Sequence, residues 1–291
     1  MFYETVRPPA ERKCQMVTLR LLKRDIRLGI INRSYLFLIA AVFSLVTVSQ
    51  CAELVRVLNE LGLVKTNVTV MDYVIYSLQG VPFYNFNSSV DLSNKLIWFV
   101  FQMGLSYLIA YYAENDYSDN GVNVMTACRC RASWWLSKTI WCVLSVILYY
   151  LVTFTFCVIF ALIKGASLSL DVTGVFLEAV FGYAMRYISY GDLILIAFIV
   201  PIAVNVGICL VQLLLSFLTS PVMSFAILCS FYILSAYHTA WYLPASYTCW
   251  LRSSYYCENG LNPLSGLLIA AFLVFAVVLA GKAYFEQKDI I

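Results

Sequence analysis

Charged side chains make up only 12% of this 291-residue sequence, about half the roughly 25% of an ordinary soluble domain. That scarcity excludes a soluble globular fold. Hydrophobic residues reach 62% and the mean hydropathy is +0.82, so lipid hydrocarbon must be the main solvent of the chain. A secreted disulfide scaffold is excluded on the same ground, and a net charge of +3 is too small to imply a nucleic-acid partner.

Histidine is almost missing. His238 is the single one, which excludes paired-histidine zinc sites and paired-histidine phosphatase chemistry. Its neighbours Tyr237, Trp241 and Tyr242 mark it as an interfacial packing residue in preference to a proton relay. No Gly-x-x-x-x-Gly-Lys-[Ser/Thr] run is present to cradle phosphates. Gly191-Asp192 lacks the partner Tyr-Asp of intramembrane aspartyl proteases. The chain is therefore expected to be no enzyme and to hold no metal or cofactor of its own.

What is present is a series of long uncharged runs. An ionised side chain at the bilayer centre costs roughly 2.5 to 3.5 kcal/mol on insertion scales, so gaps between charges mark candidate spans. Arg33 to Glu53 leaves 19 uncharged residues, Lys95 to Glu114 leaves 18, Lys138 to Lys164 leaves 25, and Glu258 to Lys282 leaves 23. The run from Asp192 to Arg252 holds 59 and is interrupted by Thr219, Ser220 and Pro221, which reads as a helical hairpin. The spacing predicts an all-α integral membrane protein with six transmembrane helices. Their ranges are Tyr35–Gln50, Leu96–Tyr112, Thr139–Ile163, Leu193–Leu218, Val222–Leu243 and Pro263–Gly281. Residues 1–34 form a separate arm before a single transmembrane domain at 35–291.

Lys and Arg divide 13 to 6 between the two faces, and the richer face carries both termini, so these are expected to be cytoplasmic. The first 34 residues are strongly charged and no small-residue cleavage pattern follows the first apolar run, so that span is expected to be retained. From Asp171 to Tyr190 the apolar residues Val172, Val175, Phe176, Ala179, Val180, Tyr183, Ala184 and Tyr187 share one helical face. A helix lying in the outer interface fits this pattern best. A seventh crossing is the alternative, and it would carry Glu178 and Arg186 to membrane depth.

Two segments on the cytoplasmic face are candidates for function. Arg20, Lys23, Arg24 and Arg27 fall on one helical face beside an apolar stripe of Leu19, Leu22, Ile26 and Ile30. Such an amphipathic helix fixes topology and attracts anionic lipid, or docks a cytoplasmic partner as an elbow. Between spans two and three, Glu114, Asp116 and Asp119 precede a short helix starting near Gly121, with Arg129 and Arg131 at its far end. Trp134 and Trp135 then mark the membrane surface before Lys138 opens the third span. This stretch is an ordinary polar connection with interfacial anchors, or a rigid lever that another protein can push.

The order of basic amphipathic helix, six spans, and Glu114, Gly121, Arg129 or Arg131, and Lys138 between spans two and three resembles the membrane subunits of type-2 ABC exporters. The resemblance implies a permease subunit in a plasma membrane, of bacterial source, that works as a homo- or heterodimer. It also implies a separate cytoplasmic ABC ATPase, which would bind ATP and Mg and contact both the elbow and the short coupling helix. The chain departs from the family in placing its longer outer segments at Glu53–Lys95 and Lys164–Asp192, where the family often carries a re-entrant element between spans five and six. A non-transporting membrane scaffold and a passive facilitator are the alternatives.

Within the spans, Asn205, Gln212 and Ser216 line one stripe with Cys209, and Gln102 and Ser106 form a shorter one. Helix–helix hydrogen bonding is the commoner reason for such residues, a transport path the other. Apart from His238 no ionisable residue is expected inside a span, which argues against ion-coupled transport. Cys128 and Cys130 are too close for a zinc pair, while Cys249 and Cys257 flank an outer loop and are candidates for a disulfide. Asn67-Val-Thr69 and Asn87-Ser-Ser89 match glycosylation acceptors. No charged pocket narrows the choice of substrate.

Overall fold

The computed structural model describes residues 9–63, 68–83, 92–121, 131–182, 185 and 187–287. Among them the chain is helical, with two isolated bridges, Thr69 to Ser167 and Ser253 to Leu261, as the extended pairings. The helices are α1 (Pro9–Asp25), α2 (Leu38–Glu60), α3 (Val70–Ser77), α4 (Leu92–Asp116), α5 (Arg131–Ile163), α6 (Gly174–Phe181), α7 (Tyr190–Leu218), α8 (Pro221–Tyr237) and α9 (Pro263–Gln287). Five stretches are long and apolar enough to cross a membrane: Ser34–Glu60, Asn94–Asp119, Arg131–Ile163, Tyr190–Leu218 and Pro263–Gln287. That set fits a multi-pass membrane protein.

The hairpin break falls between Leu218 and Pro221. Ser220 caps α8 by accepting from Met223 N at 3.2 Å, and Pro221 takes the first helical position, where its missing N–H has no cost. The helix then stops at Tyr237, short of the expected Leu243, leaving α8 with 17 residues. Its last carbonyls turn to a buried guanidinium described below. Gly62 (φ 72°) and Gly165 (φ 88°) end α2 and α5 in the left-handed region. In each case the next residue reaches back, Leu63 N to Leu58 O and Ala166 N to Ala161 O, both at 3.0 Å. Pro201 lies inside α7, and the turn before it, Leu195–Ile199, widens to π geometry, which removes the clash of its ring with the preceding carbonyl.

The proposed interfacial helix over 171–190 is shorter than its periodicity suggests. It ends at Phe181 because Gly182 takes φ 99°, and eight residues are too few to span. Its buried face is Phe176, Leu177 and Phe181, while Ala179 is exposed. The arm differs as well: Leu19 is exposed, and the side of the chain that turns inward carries Thr18, Asp25 and Gly29. The asparagines of both glycosylation tripeptides, Asn67 and Asn87, lie outside the described residues, as do Arg129, Cys128 and Cys130.

The bundle core joins α2, α3 and α5 on one side to α4, α7, α8 and α9 on the other. Small hydroxyls tie neighbours where backbones approach. Ser44 Oγ donates to Thr153 O at 3.0 Å, and Thr47 Oγ1 to Ser77 Oγ at 2.9 Å. Such short polar side chains satisfy one another without carrying charge into the hydrocarbon.

Candidate functional site

At the end of the bundle that carries the arm, four charged side chains meet. Asp25 closes α1, Asp116 closes α4, and Lys138 stands one helical turn beyond Trp134 in α5. Lys138 Nζ lies 2.6 Å from Asp25 Oδ1 and 2.7 Å from Asp116 Oδ2, and Arg24 pairs with Asp116. Lys138 has no exposed surface, Asp25 has 1% and Asp116 has 7%.

Two carboxylates against one ammonium and one guanidinium leave the group neutral, which a buried cluster needs to be tolerable. Hydroxyls complete it: Tyr112 OH donates to Asp25 Oδ1 at 2.9 Å and Ser137 Oγ to Asp25 Oδ2 at 2.5 Å. Aromatic faces close over the ammonium, with the Tyr112 ring at 4.7 Å and the Trp134 ring at 5.3 Å. Gly29 makes this packing fit, because a Cβ there would overlap Trp141 and Tyr112. The arm is thus locked to the ends of α4 and α5 by charge as well as by apolar contact.

This arrangement corrects two expectations. Lys138 does not open α5; it lies inside that helix, which begins at Arg131, and it is buried, as are Lys95 and Asp116 near the ends of α4. Trp134 and Trp135 are not surface anchors: each is 1% exposed, packed against Phe217 of α7 and Phe285 of α9 with centroids 5.1 to 6.3 Å apart.

The short helix expected to start near Gly121 falls on residues 122–130, outside the described residues. Helix α4 runs on through Asp116, and a wide turn, Tyr117–Gly121, extends it. Glu114 is half-buried, Asp119 exposed, and Gly121 buried. Arg131 opens α5, donating to Glu286 O of α9 at 3.3 Å. On α1, Arg20 and Lys23 are exposed, as is Arg27 in the wide turn Ile26–Ile31 that follows, whereas Arg24 turns to Asp116. Asp25 escaped sequence reasoning, although an acid between Leu22 and Gly29 on the inward side of a basic helix was a usable signal.

The polar stripes are engaged in interhelical bonds. Ser106 Oγ donates to Gln212 Oε1 at 2.9 Å, and Gln212 Nε2 returns to Ser106 O at 3.0 Å. Asn205 Nδ2 donates to Tyr150 OH at 2.7 Å and accepts from Tyr232 OH at 3.3 Å, while Ser216 bonds within its own helix. Gln102 Nε2 reaches Thr248 Oγ1 at 3.4 Å. Its side chain borders a cavity of about 30 Å³ with Thr47, Gln79 and Tyr150, large enough for a water or two.

At the opposite end of the bundle, residues 244–252 fold inward as two short 3₁₀ turns. Arg252 is fully buried. Its guanidinium donates to the carbonyls of Ser235 and Ala236 at the end of α8 and to those of Val81 and Pro82. A cation there suits the negative end of a helix. Burial pulls its pKa below the ordinary arginine value. Cys249 is buried and Cys257 partly so, and both are free thiols. His238 is exposed, 3.3 Å from Tyr242 OH through Nε2.

Nearby, Asp72 caps α3 from inside: it accepts from Thr69 N and from Thr173 N, each at 2.9 Å. Burial pushes its carboxyl above the usual range, outweighing those two backbone bonds. Among known proteins, no family model, no curated protein and no solved structure matches the chain.

Proposed function

We propose that the chain is the permease subunit of a type-2 ABC exporter, moving a substrate outward when coupled to a separate cytoplasmic ATPase. In this reading α2, α4, α5, α7, α8 and α9 are the six crossings, and the arm end with both termini faces the cytoplasm of a plasma membrane. Two such subunits form the working dimer. ATP and Mg reside in the partner chain.

The observation that carries the reading is the neutral cluster of Arg24, Asp25, Asp116 and Lys138. An elbow helix pressed by an ATPase can move the transmembrane helices only if it is joined to them stiffly. A buried four-charge network resists shear, because separating any member leaves an unpaired charge in a low-dielectric site. The force would enter through α1 and through the connection between α4 and α5, and pass along both helices toward the opposite end. The inward-packed segment at 244–252, between α8 and α9, supports the same reading, since it stands where the family carries its outer re-entrant element.

The test is charge reversal beside this joint, at two half-buried positions that flank it. Glu114→Lys and Arg131→Glu should leave insertion and yield unchanged while lowering the ATPase activity that co-purifies with the chain. Unchanged activity in the doubly substituted protein would sink the coupling assignment and leave the scaffold reading in its place.

A further inference from the structure

Between α2 and α4 the surface is furrowed. A groove of about 500 Å³ runs along Leu38, Val42 and Val46 of α2 and Leu96, Ile97 and Val100 of α4, with Tyr35 at its arm end. Its large side chains are exposed: Leu38 by 66%, Val42 by 52%, Leu96 by 53% and Val100 by 56%. The lining contains no charged side chain. In a membrane such a furrow faces hydrocarbon, and a flexible chain fills it better than a second rigid helix held off by Tyr35.

The arm end of the groove is electropositive. Arg33 stands two residues before Tyr35, its guanidinium 5.5 Å over the Tyr112 ring at the end of α4, so it bridges the two helices that form the walls. Among the described residues it makes no ion pair. The acids that act on the Tyr112 ring, Asp25 and Asp116, are already neutralised by Lys138 and Arg24, so they do not offset the charge of Arg33.

An apolar trough that ends beside a guanidinium group without an ion-pair partner has the amphiphilic outline of an anionic phospholipid. We propose that this groove is a binding site for one such lipid, its acyl chain between α2 and α4 and its phosphate on Arg33. The site depends on membrane embedding alone. It does not rest on the exporter reading, nor on which face is cytoplasmic.

The experiment is native mass spectrometry of the detergent-purified chain titrated with phosphatidylglycerol or with phosphatidylcholine of the same acyl composition. One phosphatidylglycerol should be retained in preference to phosphatidylcholine. Arg33→Gln should weaken phosphatidylglycerol binding about fivefold, the effect of one basic residue near an anionic headgroup, with little change for phosphatidylcholine. Val42→Trp, which fills the groove, should abolish the preferential retention, whereas the same change at Leu268, 72% exposed on α9, should not. Monodispersity on size exclusion reports whether each variant has folded. If Val42→Trp misfolds, Val100→Trp replaces it from the opposite wall. Equal binding of the two lipids, or retention unaffected by filling the groove, overturns the proposal. So does conversion of a dimer to a monomer by Val42→Trp with lipid binding unchanged, which assigns the groove to a second copy of the chain.

Discussion

Lys138 Nζ and Asp25 Oδ1 are 2.6 Å apart although 113 residues separate them in sequence, and neither reaches solvent. The contact joins the first helix, α1, to the interior of α5, the third long helix. It makes the arm a part of the bundle.

Lys138→Met should therefore be severely destabilising. It leaves Asp25 and Asp116 buried with one cation between them, a loss of about 3–5 kcal/mol for a broken buried pair. Adding Asp25→Asn removes the stranded charge and should recover part of that loss. Thermal unfolding of the single and double variants in detergent measures both. Additive losses would contradict an ion pair between the two residues.

Stability should also respond to pH through Asp72. Its folded-state pKa is raised by burial, above an ordinary value of about 3.9, so the folded protein holds this proton more tightly than the unfolded chain. The contribution is complete below the ordinary pKa and is lost as pH rises through the raised one. Asp72→Asn should flatten that part of the profile, whatever its constant cost to the cap. Melting temperatures of both proteins from acid to neutral pH decide it, and parallel curves would refute the assignment.

Gly281→Ala should cost about 1–3 kcal/mol as overpacking. A Cβ at this position would overlap the indole of Trp135, which is pinned by its bond to Val278 O at 3.1 Å and stacked on Phe285. The ring has no room to move. A melting temperature equal to that of the parent would mean that α9 shifts freely away from α5.

Arg252→Lys should fail to replace arginine. Four carbonyls share one planar guanidinium, and an ammonium has three donors and no fork. Leaving a buried carbonyl unpaired costs about 1–3 kcal/mol, so lysine and methionine should destabilise to a similar degree. Full stability in Arg252→Lys would show that charge at the end of α8 matters and geometry does not.

The interhelical amides behave differently. Asn205→Leu should cost only about 0.6 kcal/mol, the average for hydrogen bonds between helices in a bilayer, despite the complete burial of Asn205. A loss of several kcal/mol would mark the Tyr150–Asn205–Tyr232 chain as a keystone of the bundle.

Apolar runs made most of the long helices legible, because the lipid cost of charge is large and local. Pro263 and the Ser220-Pro221 pair set helix starts that the structure reproduces to within a residue or two. The same logic erased the cluster. Treating Lys138 and Glu114 as boundaries assumed that charges sit outside, whereas Lys138 is neutralised inside by acids from α1 and α4, a pairing that no local pattern encodes. The inward fold of 244–252 was hidden for a related reason: Arg252 served only as the end of an uncharged run, and its carbonyl partners come from segments that are distant in sequence or end without a motif.

Affinity purification of the tagged chain from native membranes in mild detergent, with mass spectrometry of every stoichiometric companion, bears most directly on the exporter reading. Recovery of a chain with a Gly-x-x-x-x-Gly-Lys-[Ser/Thr] loop, whose ATPase activity depends on this subunit, is the outcome expected. Recovery of no nucleotide-binding chain, under conditions that keep a known exporter complex intact, would contradict it.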